Sequence, residues 1–163
     1  MLSEDTVQIV ERRSQSHTLI QELVATRNEM LALFSRLISF KPFTNEDEGT
    51  RESLEEFCET LVDYTLQAHL NIYRHIEEKL EKRVRVLEIA ERTYPNILKS
   101  TELISDFNDK YEDLRNNFDA SQLEQNLSQL GEVLAERIEL EDQLIEVLTN
   151  RRPEQTESAN LNS

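Results

Sequence analysis

Apolar residues recur along most of the chain at intervals of three and four, the spacing that gathers them on one face of an α-helix. A first segment opens near Ser3, an N-cap residue followed by Glu4 and Asp5, and carries Val7 and Val10. After a break expected at Ser14 to Ser16, the stripe continues as Ile20, Leu23, Val24, Met30, Leu31, Phe34, Leu37 and Ile38, and stops at Lys41-Pro42. The acidic stretch Phe43 to Thr50 reads as a loop. A second helix is expected from Thr50 or Ser53, with Ser53 and Glu56 at capping-box spacing, through Leu54, Phe57, Cys58, Leu61, Thr65, Ala68, Ile72, Ile76 and Leu80 to about Lys82. A third stripe runs from Leu87 to Leu114, with Pro95 either kinking it or starting a new helix. Asn116-Asn117 breaks the pattern. The fourth opens at Asp119, with Gln122 at capping-box distance, and runs through Leu123, Leu127, Leu130, Leu134, Ile138, Leu144, Ile145 and Leu148.

Four such stripes joined by short connections bury themselves most economically as an all-α, antiparallel four-helix bundle, with room for short additional helices. Residues 1–152 are expected to form this single domain. Residues 153–163, poor in apolar side chains, are expected to be a disordered tail. With only 2 Gly and 3 Pro in 163 residues, the turns of an all-β fold and a Gly-rich phosphate loop are both disfavoured.

Charge narrows the partners. The chain carries 33 acidic against 18 basic residues, a formal charge of −15, so a phosphate backbone would be repelled and direct nucleic-acid binding is not expected. An acidic surface suits a basic protein surface, including the one a DNA-reading domain presents, although acidity also serves solubility. The longest apolar run, Met30 to Phe34, is five residues, far short of a membrane span. A lone cysteine, Cys58, and a beginning unlike a signal peptide point to the cytoplasm.

Bundle chemistry finds little support. A di-iron site needs Glu-x-x-His pairs, but Leu66 and Ile72 stand three residues before His69 and His75, and Ser14 before His17. Neither a zinc spacing nor a haem-attachment motif occurs. Cys58 lies on an apolar stripe with nothing to activate its thiol. No catalytic residue, metal or cofactor is therefore expected.

The second helix is apolar on more than its core face. Asp63, Leu66, Leu70 and Tyr73 follow at spacings of three, four and three, along a line displaced from the core stripe. This line is either an exposed docking patch or the second contact face of a central helix. Three polar features also fall on core lines: Arg27, His69, and Arg137 with Glu141. The last two are at the i,i+4 spacing of an ion pair that fixes helix register.

The segment FCETLVDYTLQAHLNIY, residues 57–73, resembles the Rsd/AlgQ family of bacterial anti-sigma regulators, also called regulators of sigma D. The match rests on Phe57, Cys58, Leu61, Asp63, Tyr64, His69, Ile72 and Tyr73. A second matching segment, LGEVLAERIELEDQLI, carries Leu130, Gly131, Arg137, Leu140, Glu141 and Asp142, and weaker similarity covers Leu19 to Pro42. Departures are Ala68-His69-Leu70 where the family has Gly-His-Phe, Arg74 where it has Glu, and Gln21-Glu22-Leu23 where it has Asp-Arg-Trp.

The resemblance implies a non-enzymatic protein that binds region 4 of the primary sigma factor in a 1:1 complex. Such binding would sequester region 4 from core RNA polymerase and the promoter −35 element. Asp63 is then the first choice for a charged contact. Leu66, Leu70 and Tyr73 would form an apolar ridge, Leu23 and Arg27 would support it from the neighbouring helix, and His69 would lie beside it. Glu139, Glu141 and Asp142 are weaker candidates. An alternative is an adaptor that regulates a metabolic or stringent-response protein through the same scaffold.

Overall fold

The structure, a computed structural model, describes residues 3–77, 82–113 and 118–149. These form α1 (Glu4–Ile38), α2 (Glu48–Ala68), a π-helical segment (His69–Tyr73), α3 (Arg74–Glu77), α4 (Val84–Lys110) and α5 (Leu123–Thr149), with no strand among the described residues. The expected break at Asn116-Asn117 and the expected tail at 153–163 lie outside them.

Local chemistry sets the helix ends. The Ser3 hydroxyl accepts from the Thr6 amide at 3.2 Å and caps α1. The helix then runs unbroken through Ser14 to Ser16, because serine lowers helix propensity by only a few tenths of a kcal/mol while glycine and proline are absent there. At α2 the cap is Asp47, earlier than Thr50 or Ser53, because its carboxylate accepts from the Gly49 and Thr50 amides at 3.0 and 3.4 Å. The Phe40 ring packs close over Gly49: a Cβ there would stand 2.8 Å from its Cε1, so a larger residue would have to displace that ring. Before α5, Asp119 accepts from the Ser121 amide at 2.9 Å, and the helix itself begins at Leu123. Pro95 lies inside a continuous α4 instead of opening a new helix.

The buried seams have the expected spacing. In α4, Val86, Ala90, Thr93, Ile97, Ser100, Ile104 and Phe107 alternate steps of four and three. In α5, Leu123, Leu127, Leu130, Leu134, Arg137, Glu141 and Leu144 do the same. This alternation suits helices packed at shallow angles.

Cross-helix contacts define an antiparallel ring. Phe34 on α1 meets Phe57 on α2 with ring centroids 5.5 Å apart, while Asn71, beyond the far end of α2, donates to the Leu19 carbonyl at 2.8 Å. Between α4 and α5, Asn126 donates to the Tyr111 hydroxyl near one end, and Arg83 donates to the Leu148 carbonyl at the other. Arg27 reaches Glu141 and Lys41 pairs with Glu124, setting α1 against α5. Phe57 with Phe107 and Tyr73 with Tyr94 bridge α2 and its continuation to α4.

Candidate partner-binding face

The bundle interior changes character along its length. Toward the 39–47 loop it is aromatic, with Phe34, Phe57, Phe107 and Tyr111 in successive contact at 5.5, 6.2 and 4.9 Å. Further along, the α5 seam inserts Arg137 and Glu141, which are 1% and 0% exposed. Groups this deep must be paired, and they are.

The Tyr64 hydroxyl donates to both Glu141 oxygens at 2.9 Å, Tyr73 donates to Oε2 at 2.7 Å, and Arg27 donates to Oε1 at 3.2 Å. Arg137 donates from Nε to the Tyr64 hydroxyl at 3.1 Å. From Nη1 it donates to Ser100 and Thr101 at 2.9 and 2.8 Å and to the Ile97 carbonyl at 3.3 Å. Its guanidinium also lies over the rings of Tyr64 and Tyr73, at 5.4 and 5.6 Å. The expected i,i+4 pair is present, with Nε of Arg137 3.9 Å from Glu141.

Burial works against both guanidinium charges. Even so, Asp142 and Glu141 hold Arg27 above the ordinary arginine value, and Tyr64, Tyr73 and Glu141 do the same for Arg137. The two tyrosines are pushed well above an ordinary phenol, first by burial and then by the Glu141 carboxylate.

This network relocates several residues singled out from the sequence. Tyr73 is 3% exposed and lies inside, not on an apolar ridge. The cause is the π-helical segment, in which the Arg74 amide donates to the His69 carbonyl five residues back, so that the wider turn carries Tyr73 toward Glu141. Leu23 is fully buried and belongs to the core. Arg27 is held by Glu141 and by Asp142 at 2.8 Å, so it is committed inside the protein. Glu141 is structural for the same reason, and Asp142 is its exposed neighbour.

What remains outside is Asp63 and Leu66 on α2 and Leu70 on its π-helical continuation, all exposed, with Leu66 at 55% and Leu70 at 47%. They border a hollow of about 420 Å³ between α1 and α2, walled also by Thr26, Glu29 and Asn71. His69 is half exposed on the other side of Leu66, with Nδ1 4.0 Å from Glu77. Sequence reasoning missed exposed Val62 on α2 and Leu98 on α4, which face a larger groove between those helices. Neither stands out from the stripe pattern until it is known which helices are neighbours.

Among the described residues, no group of three or more His, Cys, Asp or Glu side chains is arranged to hold a metal ion. No described helix is long and apolar enough to cross a membrane. Burial, with Glu59 nearby, pushes the Cys58 thiol up to about 12, the behaviour of an inert packing residue.

Residues 1–149 match the family model described as "Regulator of RNA polymerase sigma(70) subunit, Rsd/AlgQ". The chain is similar to a protein named regulator of sigma D from Yersinia enterocolitica, 32% identical over 141 residues that cover 85% of this chain and 84% of that protein. Proteins of the same name from an Enterobacter species and from Salmonella typhi are 33% and 32% identical, over 141 and 139 residues. Those matches cover 84% of this chain and 84% and 85% of the respective relatives. No solved structure matches significantly.

Proposed function

Because the chain belongs to the Rsd/AlgQ family of regulators of the RNA polymerase sigma(70) subunit, we propose that it binds region 4 of the primary sigma factor in a 1:1 complex. In this reading it acts without catalysis, in the cytoplasm, by holding region 4 away from core RNA polymerase and from the promoter −35 element. The observation that carries the reading is the exposed line Asp63, Leu66 and Leu70, an acid beside two unpartnered leucines on a helix anchored by the buried network. Region 4 reads DNA with a basic helix-turn-helix, so its surface offers the charge this line would attract. Each leucine has about half its surface still to bury, worth about 1 kcal/mol apiece. Asp63 supplies orientation and a salt-dependent encounter.

Calorimetric titration of the full chain with isolated region 4, at two salt concentrations, tests this. The expected result is one-to-one binding that weakens with salt. Asp63→Ala and Leu70→Ala should each lose about 1 to 3 kcal/mol of affinity with unchanged helicity, since both side chains are exposed. Absence of heat and of co-elution with both proteins folded sinks the sigma reading. Wild-type affinity in the double variant rejects this face.

A further inference from the structure

The larger groove, about 730 Å³, lies between α2 and α4 on the opposite side of Leu66 from Asp63. Its origin is in the sequence. The α2 side, with its π-helical continuation, is bridged to α4 at the ends by the pairs Phe57–Phe107 and Tyr73–Tyr94, but between those pairs several lining residues are small: Cys58 and Thr65 from α2, Thr101 and Ser105 from α4. Side chains of that size leave the space between the backbones unfilled. The lips are large and apolar, with Val62 at 48%, Leu66 at 55% and Leu98 at 46% exposure, and Ile97 and Ile104 form part of the floor.

Around this apolar strip stand five carboxylates, Glu55, Glu59, Glu77, Asp109 and Glu112. Among the described residues the one cation in the lining is Arg137. It is buried and already engaged by Tyr64, Ser100, Thr101 and the Ile97 carbonyl. We propose that this groove is a second docking site, separate from the Asp63 and Leu70 face, and that it takes a basic amphipathic helix of a protein partner.

The charge selects a cationic occupant and repels nucleic acid. The shape selects a helix. Both walls are helices, so there is no strand edge to pair with an extended peptide, whereas a helix satisfies its own backbone and presents apolar residues at i, i+3 or i+4 and i+7. From Tyr94 to Asp109 the α4 wall is about 22 Å long at 1.5 Å per residue, about four turns.

The test uses the full chain and a fluorescent 18-residue peptide with leucines at helical spacing and lysines flanking them, read by anisotropy. A second peptide has the same composition scrambled to destroy the apolar face. The inference expects saturable one-to-one binding that weakens with salt, and at least tenfold weaker binding of the scrambled peptide. It also expects at least tenfold loss in Leu98→Asp and Val62→Glu, with no change in Leu70→Ala.

Equal binding of the two peptides, or wild-type binding in both groove variants, overturns it. Loss of region 4 binding in Leu98→Asp overturns it as a separate site, a result distinguishable from failure of the sigma reading, in which wild-type protein does not bind region 4 at all. Two further results assign the groove to other occupants and also overturn the proposal. One is a dimer in light scattering that Leu98→Asp dissociates, pointing to a second copy. The other is a tenfold gain in peptide affinity on removing residues 150–163, whose two arginines and two glutamates cancel in charge, pointing to the chain's own C-terminal residues.

Discussion

Glu141→Gln is the most searching perturbation of this fold. The glutamate is fully buried and accepts from Tyr64, Tyr73 and Arg27 while lying 3.9 Å from Arg137. Glutamine preserves the shape and one acceptor oxygen but removes the charge that offsets two guanidinium groups. Arg27 keeps Asp142 at 2.8 Å. Arg137, at 1% exposure, keeps only neutral partners. Uncovering a buried charge in this way costs about 3 to 5 kcal/mol, which for a chain of this length lowers Tm by about 10 °C. Urea unfolding followed by circular dichroism at 222 nm measures it directly. Asp142→Asn, at an exposed position, is expected to cost less than about 1 kcal/mol. In a double-mutant cycle, Glu141→Leu with Arg137→Met should be less destabilising than the two single changes summed, by about 2 kcal/mol, because the charges vanish together. A loss below about 1 kcal/mol in Glu141→Gln would refute the reasoning, since it would mean that the Arg137 charge is compensated without the carboxylate.

Three further outcomes are expected. Tyr64 and Tyr73 hold their protons more tightly folded than unfolded, so their contribution is complete below the unfolded phenol value of about 10 and is lost as pH rises past it. Unfolding free energy should therefore fall as pH rises from about 10 toward 12, and a Tyr64→Phe/Tyr73→Phe variant that keeps the same slope would contradict this. Pro95→Ala restores an amide donor within α4 and should stabilise the protein by about 1 kcal/mol or more in the same urea assay, whereas a loss of stability would show that the packing requires proline at that position. Cys58, with its thiol raised to about 12, is about one part in ten thousand thiolate at pH 8, so it should react with a disulfide reagent far more slowly in the native protein than in urea. Equal rates would place the thiol in solvent.

The helices were legible because their signal is local and repeated: the seams of α4 and α5 alternate threes and fours, and even the polar members Arg137 and Glu141 keep that register. Local spacing also exposed Asp63, Leu66 and Leu70, which stand off the α2 stripe. It could not supply the partners of Glu141, because Tyr64, Tyr73 and Arg27 arrive from 68 to 114 residues away and meet only when the helices assemble. The α2 and α4 groove was hidden for the same reason, since Cys58 and Thr65 face Thr101 and Ser105 only in this ring order. Tyr73 failed differently. An α-period counts it with Leu66 and Leu70, and no glycine or proline marks the wider turn at His69–Tyr73. That turn accounts for both features of α2: it brings the Tyr73 hydroxyl to the buried carboxylate, and in doing so it ends the outer apolar ridge at Leu70. The exposed face is therefore two leucines and an acid, backed by the polar network that holds the helix in place.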